Sequence, residues 1–126
     1  MIGNSSLAQA FWRDGRVESC PIYDMHGHMD TFAAIWFPRG STEQMIGTMD
    51  ECGVRMLVFS HHHSLQVPDV GNAPSVEAVR KFPQRLRAYC LINPNYPDLV
   101  EKELERADKE RDVFVGLKFL ADYHQV

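Results

Sequence analysis

The 126-residue sequence has only three cysteines, Cys20, Cys52 and Cys90, widely spaced and without a Cys-x-x-Cys pair. That excludes a disulfide framework and a cysteine-rich zinc site, and it makes the reducing cytoplasmic compartment the expected one. No apolar run approaches the roughly 18 residues of a membrane-spanning helix. The amino terminus, Met1-Ile2-Gly3-Asn4-Ser5-Ser6, has no basic stretch ahead of an apolar one, so no signal peptide is expected. Lys and Arg number 13 against 17 Asp and Glu, a formal charge of −4, and no basic cluster occurs, which removes the electrostatic basis for binding nucleic acid. The remaining composition, 44% hydrophobic and 24% charged, is that of one globular unit.

What the sequence does contain is a repeat of strand-like runs. They are Ile22 to His26, Val54 to Ser60, Leu86 to Asn93 and Phe114 to Leu120, and their starts lie 32, 32 and 28 residues apart. Helical patterns separate them. Ser41-Thr42-Glu43-Gln44 reads as a capping box, Met45, Ile46, Met49 and Cys52 then share a helical face, and Gly53 sits at the C-cap position. A second helix is predicted to begin near Pro74, to bury Val76, Val79 and Phe82, and to stop at Pro83. A third begins near Pro97-Asp98, with Val100, Leu104 and Ala107 as its apolar stripe and Glu101, Lys102, Glu103, Glu105, Arg106 and Lys109 on solvated faces.

This alternation predicts an α/β fold with a parallel sheet, and the period matches the βα units of a (β/α)₈ barrel. An open doubly wound sheet shares the local pattern, but no glycine-rich phosphate loop follows the first strand. Residues 22–126 are therefore expected to form strands 1–4 of a barrel, its first half, lacking the last helix and truncated from a longer chain. Residues 1–21 are expected to be an extension or ribbon, with Phe11, Trp12 and Asp14-Gly15-Arg16 in a turn across the barrel bottom.

The chemistry concentrates in Asp24-Met25-His26-Gly27-His28. Side chains two apart on a strand point the same way, about 7 Å apart, so His26 and His28 can converge on one divalent ion, with Gly27 leaving the approach open. Asp24 would share that face and orient a histidine. Imidazole ligation makes zinc the default, with manganese, iron or cobalt allowed. Lys118 shares a strand face with Gly116 and Leu120, and if that face points into the barrel its amine is placed to hold a substrate carboxylate. His61-His62-His63 closes strand two. One of the three, His61 in the first instance, is a candidate pocket residue; Asn93 after strand three and His124 after strand four are the others. Trp36, Phe37, Pro38 and Phe32 can supply an apolar wall.

With its four βα units, DMHGHMD after a short strand and GLKFLADYH at strand four, the sequence resembles the amidohydrolase superfamily. It resembles especially the amidohydrolase-related proteins of the 2-pyrone-dicarboxylate lactonase and carboxymuconate-semialdehyde decarboxylase type. The likeness runs from Ile22 onward and spans the first half of the family's barrel. The resemblance implies that His26 and His28 bind metal. It further implies that Lys118 occupies the place where some binuclear members carry a carboxylated lysine bridging two metals, so that Lys118 would be a metal bridge or a substrate contact. The family's other ligands, histidines on strands five and six and an aspartate on strand eight, and with them the expected general base, fall on strands this sequence does not contain. The implied activity is metal-activated water attacking an amide, lactone or ester carbonyl of a small carboxylate or carbonyl compound. Non-oxidative decarboxylation on the same scaffold is the alternative, and a non-catalytic half barrel, associating as a homo-oligomer, is a further one.

Overall fold

The structure, a computed structural model, describes residues 5–32, 35–65 and 67–126. Its elements run α1 (Ser6–Asp14), β1 (Ile22–Met29), α2 (Thr42–Cys52), β2 (Val54–His61), a 3-10 turn (His62–Leu65), α3 (Pro68–Lys81), β3 (Leu86–Leu91), α4 (Pro97–Lys109), β4 (Phe114–Lys118) and α5 (Ala121–His124). The four strands are parallel and lie in sequence order β1-β2-β3-β4. A doubly wound sheet reverses its strand order at a switch point; this one does not, which is the arrangement of a barrel segment.

One face of the sheet is packed by helices. Leu57 and Phe59 of β2 and Leu86, Ala88 and Cys90 of β3 form a buried core with Met49 of α2 and Val76, Ala78 and Val79 of α3. Gly27 belongs to that side as well. A Cβ there would lie 2.4 Å from Leu57 Cδ1, so the glycine makes room for a core leucine rather than for the imidazoles beside it. The opposite face is polar and curled. A flat sheet would set β4 about 14 Å from β1, three spacings of roughly 4.8 Å, yet Lys118 Nζ of β4 reaches His26 Nε2 of β1 at 3.2 Å. Tyr89 of β3 likewise donates its hydroxyl to the Met25 carbonyl across β2, at 3.1 Å.

The local signals around α2 act as the sequence predicts. Ser41 Oγ accepts from the Gln44 amide at 3.3 Å, Gln44 Oε1 accepts from the Ser41 amide at 3.2 Å, and Gly53 caps the end at φ 73°. Elsewhere the structure departs from expectation. Residues 6–14 are helical, not a ribbon, because Ser5 caps them and Gly15 ends them in the left-handed region. Their Phe11 and Trp12 are exposed. Helix α3 starts at Pro68, two turns ahead of Pro74, which sits inside it. Proline fits the first helical turn, so both prolines read locally as starts. Packing decides between them: Gly71 lies so close to the 3-10 turn that a Cβ would stand 2.0 Å from Ser64 Oγ.

In α4 the stripe is rotated. Glu103, expected in solvent, is 1% exposed, while Leu104 is 42% exposed. The burial is sustained by Asn72 Nδ2 and Arg106 Nε, which donate to Glu103 Oε2 at 2.8 and 2.9 Å.

Candidate metal centre

The strand ends carry two clusters on opposite sides of the sheet. The first is on the polar face. The register of β1 on β2 slips between Asp24 and Gly27, three residues of β1 passing two of β2. This bulge breaks the two-residue alternation, so Asp24 does not orient an imidazole; its Oδ1 accepts from the His26 backbone amide at 3.0 Å and fixes the bulge instead. The bulge aims His26 and His28 at each other, Nε2 to Nε2 at 3.2 Å. Lys118 Nζ lies 3.2 Å from that same His26 nitrogen and donates to Ser60 Oγ at 3.1 Å. Behind them His62 stacks on His28, ring centres 4.9 Å apart and planes 19° from parallel. His62 in turn holds the Asp30 carbonyl through Nδ1 at 2.7 Å.

Burial, reinforced by the Lys118, His62 and His26 charges, pulls His28 down to about 4, so its ring is neutral at physiological pH. Burial also lowers Lys118 from the ordinary lysine value. Neutral imidazole is the ligand form. Zinc–nitrogen bonds of about 2.0–2.1 Å in tetrahedral geometry set donors roughly 3.3 Å apart, and the 3.2 Å spacing of the His26 and His28 nitrogens fits that ion.

A cavity of about 340 Å³ opens beside the pair, lined by His26, His28, Ile35, Phe37, His62, Leu65, Leu120 and Tyr123. Of the aromatic residues proposed as a wall, Phe37 takes that place and packs edge-on against His62 at 5.4 Å. Trp36 is 88% exposed.

The other predicted residues are placed differently. His124 is buried and uses both ring nitrogens, Nε2 on the Leu65 carbonyl at 2.8 Å and Nδ1 accepting from the Leu120 amide at 3.4 Å. It therefore sets the position of two lining residues without lining the cavity. Asn93 is buried beyond the end of β3, where its Oδ1 accepts from the Asn95 amide in a tight turn.

His61 points to the helix side. There it lines a second cavity of about 350 Å³, with Met29, Asp30, Glu77 and Lys81 among its walls. Its Nε2 lies 3.4 Å from Asp30 Oδ2, and His63 Nδ1 lies 3.9 Å from the same oxygen. The three donor atoms are within 4.8 Å of one another, the second cluster. The sequence reading missed Asp30, whose backbone adopts φ 67°, a left-handed conformation that no residue pattern announced. Ser60, fully buried beside Lys118, was missed as well; its only signal was its place opposite His28 in the β1–β2 register.

Fold and donor geometry together define a parallel α/β barrel segment with imidazole and carboxylate groups, side chains of the kind that could hold a metal ion, gathered at its strand ends. The comparison with solved structures agrees. The chain is similar to 2,6-dihydroxybenzoate decarboxylase from Rhizobium, at 17% identity and a TM-score of 0.59, over 77% of this chain and 37% of that one. It is similar also to 2,6-dihydroxybenzoate decarboxylase complexed with 2,6-dihydroxybenzoate, at 18% identity and a TM-score of 0.57, with the same coverage. The chain thus spans 37% of the length of the enzymes it matches. These likenesses establish the fold, that of the first part of a TIM-type barrel. No protein-family profile and no curated protein sequence matches the chain. No described helix is long and apolar enough to cross a membrane.

Proposed function

We propose that this chain carries the strand 1–4 part of a metal-dependent decarboxylase of the amidohydrolase type, acting on a small aromatic or unsaturated carboxylate. The observation that carries the reading is the convergence of His26 Nε2, His28 Nε2 and Lys118 Nζ at 3.2 Å contacts beside a cavity with apolar walls. His26 and His28 would hold the ion, zinc or a neighbour of it. When bound, such an ion polarises oxygen and stabilises negative charge.

The chain's own residues account for the rest. Lys118, steadied by Ser60 Oγ, offers a cation to a substrate carboxylate, and that anion would raise the lysine's depressed pKa and keep it charged. Ile35, Phe37 and Leu65 would take the substrate's apolar body and displace water from around the carboxylate. A carboxylate stripped of water is favoured to disperse its charge as the carbon–carbon bond breaks; carbon dioxide leaves, the bond's electron pair remains on carbon, and that carbon takes its proton from a solvent water, which leaves as hydroxide. Both solved structures named above are of a decarboxylase, which favours this outcome over hydrolysis.

The test supplies the protein with Zn²⁺ or Mn²⁺ and, in parallel, carboxyl-labelled hydroxybenzoates and aryl lactones. Labelled carbon dioxide supports the proposal. Lactone opening without it assigns the hydrolase instead. In either case His26→Ala combined with His28→Ala should lose the ion held between those two residues together with turnover, and a metal count per chain unchanged from the unaltered protein would remove the site proposed here.

A further inference from the structure

On the helix-packed side of the sheet, away from the His26–His28 pair, Asp30, His61 and His63 converge from the ends of two neighbouring strands. We propose that these three residues form a second divalent-cation site of the zinc–cobalt class, with a structural role: clamping the turn after β1 to the turn after β2. Two imidazoles and a carboxylate are a donor set zinc accepts, leaving one position for water. The donor spacings around Asp30 Oδ2 are 3.4 and 3.9 Å and all three donors lie within 4.8 Å of one another, so an ion would draw them inward to the roughly 3.3 Å of a tetrahedral site.

The surroundings are arranged for this. His63 Nε2 donates to the Thr31 carbonyl at 3.1 Å, which leaves Nδ1 with its lone pair toward Asp30. Anchoring of the distal nitrogen by a backbone carbonyl is the usual support of a ligating histidine. The Asp30 amide donates to the Gly40 carbonyl at 2.8 Å, and Asp30 Oδ1 accepts from the Thr31 amide at 2.6 Å, so Oδ2 is the oxygen left for an ion. His61, 7% exposed, presents Nε2 to that oxygen. One local change accompanies loading. His61 Nδ1 accepts from the His63 amide at 3.3 Å, and ligation through Nε2 requires the proton on Nδ1, so this contact opens.

An ion here would fix the same Asp30 turn whose carbonyl holds His62 against His28. The assignment does not depend on the decarboxylase proposal, since it uses none of that site's ligands.

The experiment counts bound Co²⁺ per chain after equilibration and gel filtration. The unaltered protein is compared with Asp30→Asn/His63→Ala, both changed positions being at least partly exposed, and with His26→Ala/His28→Ala. The expected result is the loss of one ion in the first variant at unchanged circular dichroism, with that ion retained in the second. Its affinity should fall by roughly tenfold or more for His63→Ala alone. The same ion should shift the His63 amide resonance of the unaltered chain. Unchanged stoichiometry in Asp30→Asn/His63→Ala overturns the proposal, as does an unmoved His63 amide at saturating Co²⁺. If the His26→Ala/His28→Ala chain fails to fold, the count in the first variant and the amide shift decide alone.

Discussion

At the scale of single residues the strongest electrostatic statement concerns His28, whose ring is squeezed between His26, His62 and the Lys118 cation. Its folded pKa of about 4 lies below the ordinary 6.5. Between those values the unfolded chain binds a proton that the folded chain refuses, so stability is complete above about 6.5 and is lost as the pH falls toward 4. His61, lowered mainly by burial, acts in the same direction. Denaturant unfolding across this range should therefore give a stability that declines on acidification, and His28→Gln should flatten the slope. The cause can be separated further. Because the Lys118 charge is among the influences holding His28 down, Lys118→Met should raise the His28 midpoint in a ring-proton titration by NMR. An unmoved midpoint would mean that burial and the neighbouring His62 and His26 set it without the lysine.

Among the elements, α4 shows how a charged residue can be part of the interior. Glu103 receives Asn72 from α3 and Arg106 from its own helix, and Asn72 also binds both backbone groups of Leu91 in β3, so one carboxylate ties two helices to a strand. Glu103→Ala leaves the buried Asn72 amide without one acceptor and should cost roughly 2–3 kcal/mol of unfolding free energy, with Glu103→Gln, which keeps an acceptor oxygen, costing less. Gly71→Ala should be at least as damaging, since its methyl meets the backbone of the 3-10 turn at 2.4 Å. Both are read by denaturant melts. These cases also mark where the sequence was legible. Helix α2 was readable because its capping box and C-cap glycine act within a few residues. The start of α3 was not, because Pro68 and Pro74 send the same local signal and only contact with Ser64 separates them. Glu103 was misread because one of the two residues that make its burial tolerable, Asn72, lies 31 positions away. The His26–His28 pair was legible from strand alternation, yet its mutual aim comes from a bulge, and the approach of Lys118 comes from curvature of the sheet. Neither leaves a mark in the spacing of residues.

For the molecule as a whole, the controlling fact is an open four-stranded sheet. Among the described residues β1 and β4 each have one neighbour, so each presents an unpaired edge. The helix-bearing face is also incomplete at β4. Leu117 pairs with buried Cys90 and so lies on that face, but among the described residues no helix covers it, and it is 49% exposed. Phe119, two residues on, is 56% exposed. A free edge beside an apolar strip is a template for pairing, and the 126-residue chain in isolation should associate with itself through this side. Sedimentation velocity over a concentration series should show a weight-average mass that rises with concentration. Combining Leu117→Lys with Phe119→Lys should return it toward the monomer, with the fold intact because both side chains already face solvent. The charges act twice, removing apolar contact area and setting like charges against each other where two edges would meet. A monomer at every concentration before the substitutions would show that curvature of the sheet keeps the edge from its own copies. The apolar strip would then be harmless in solution.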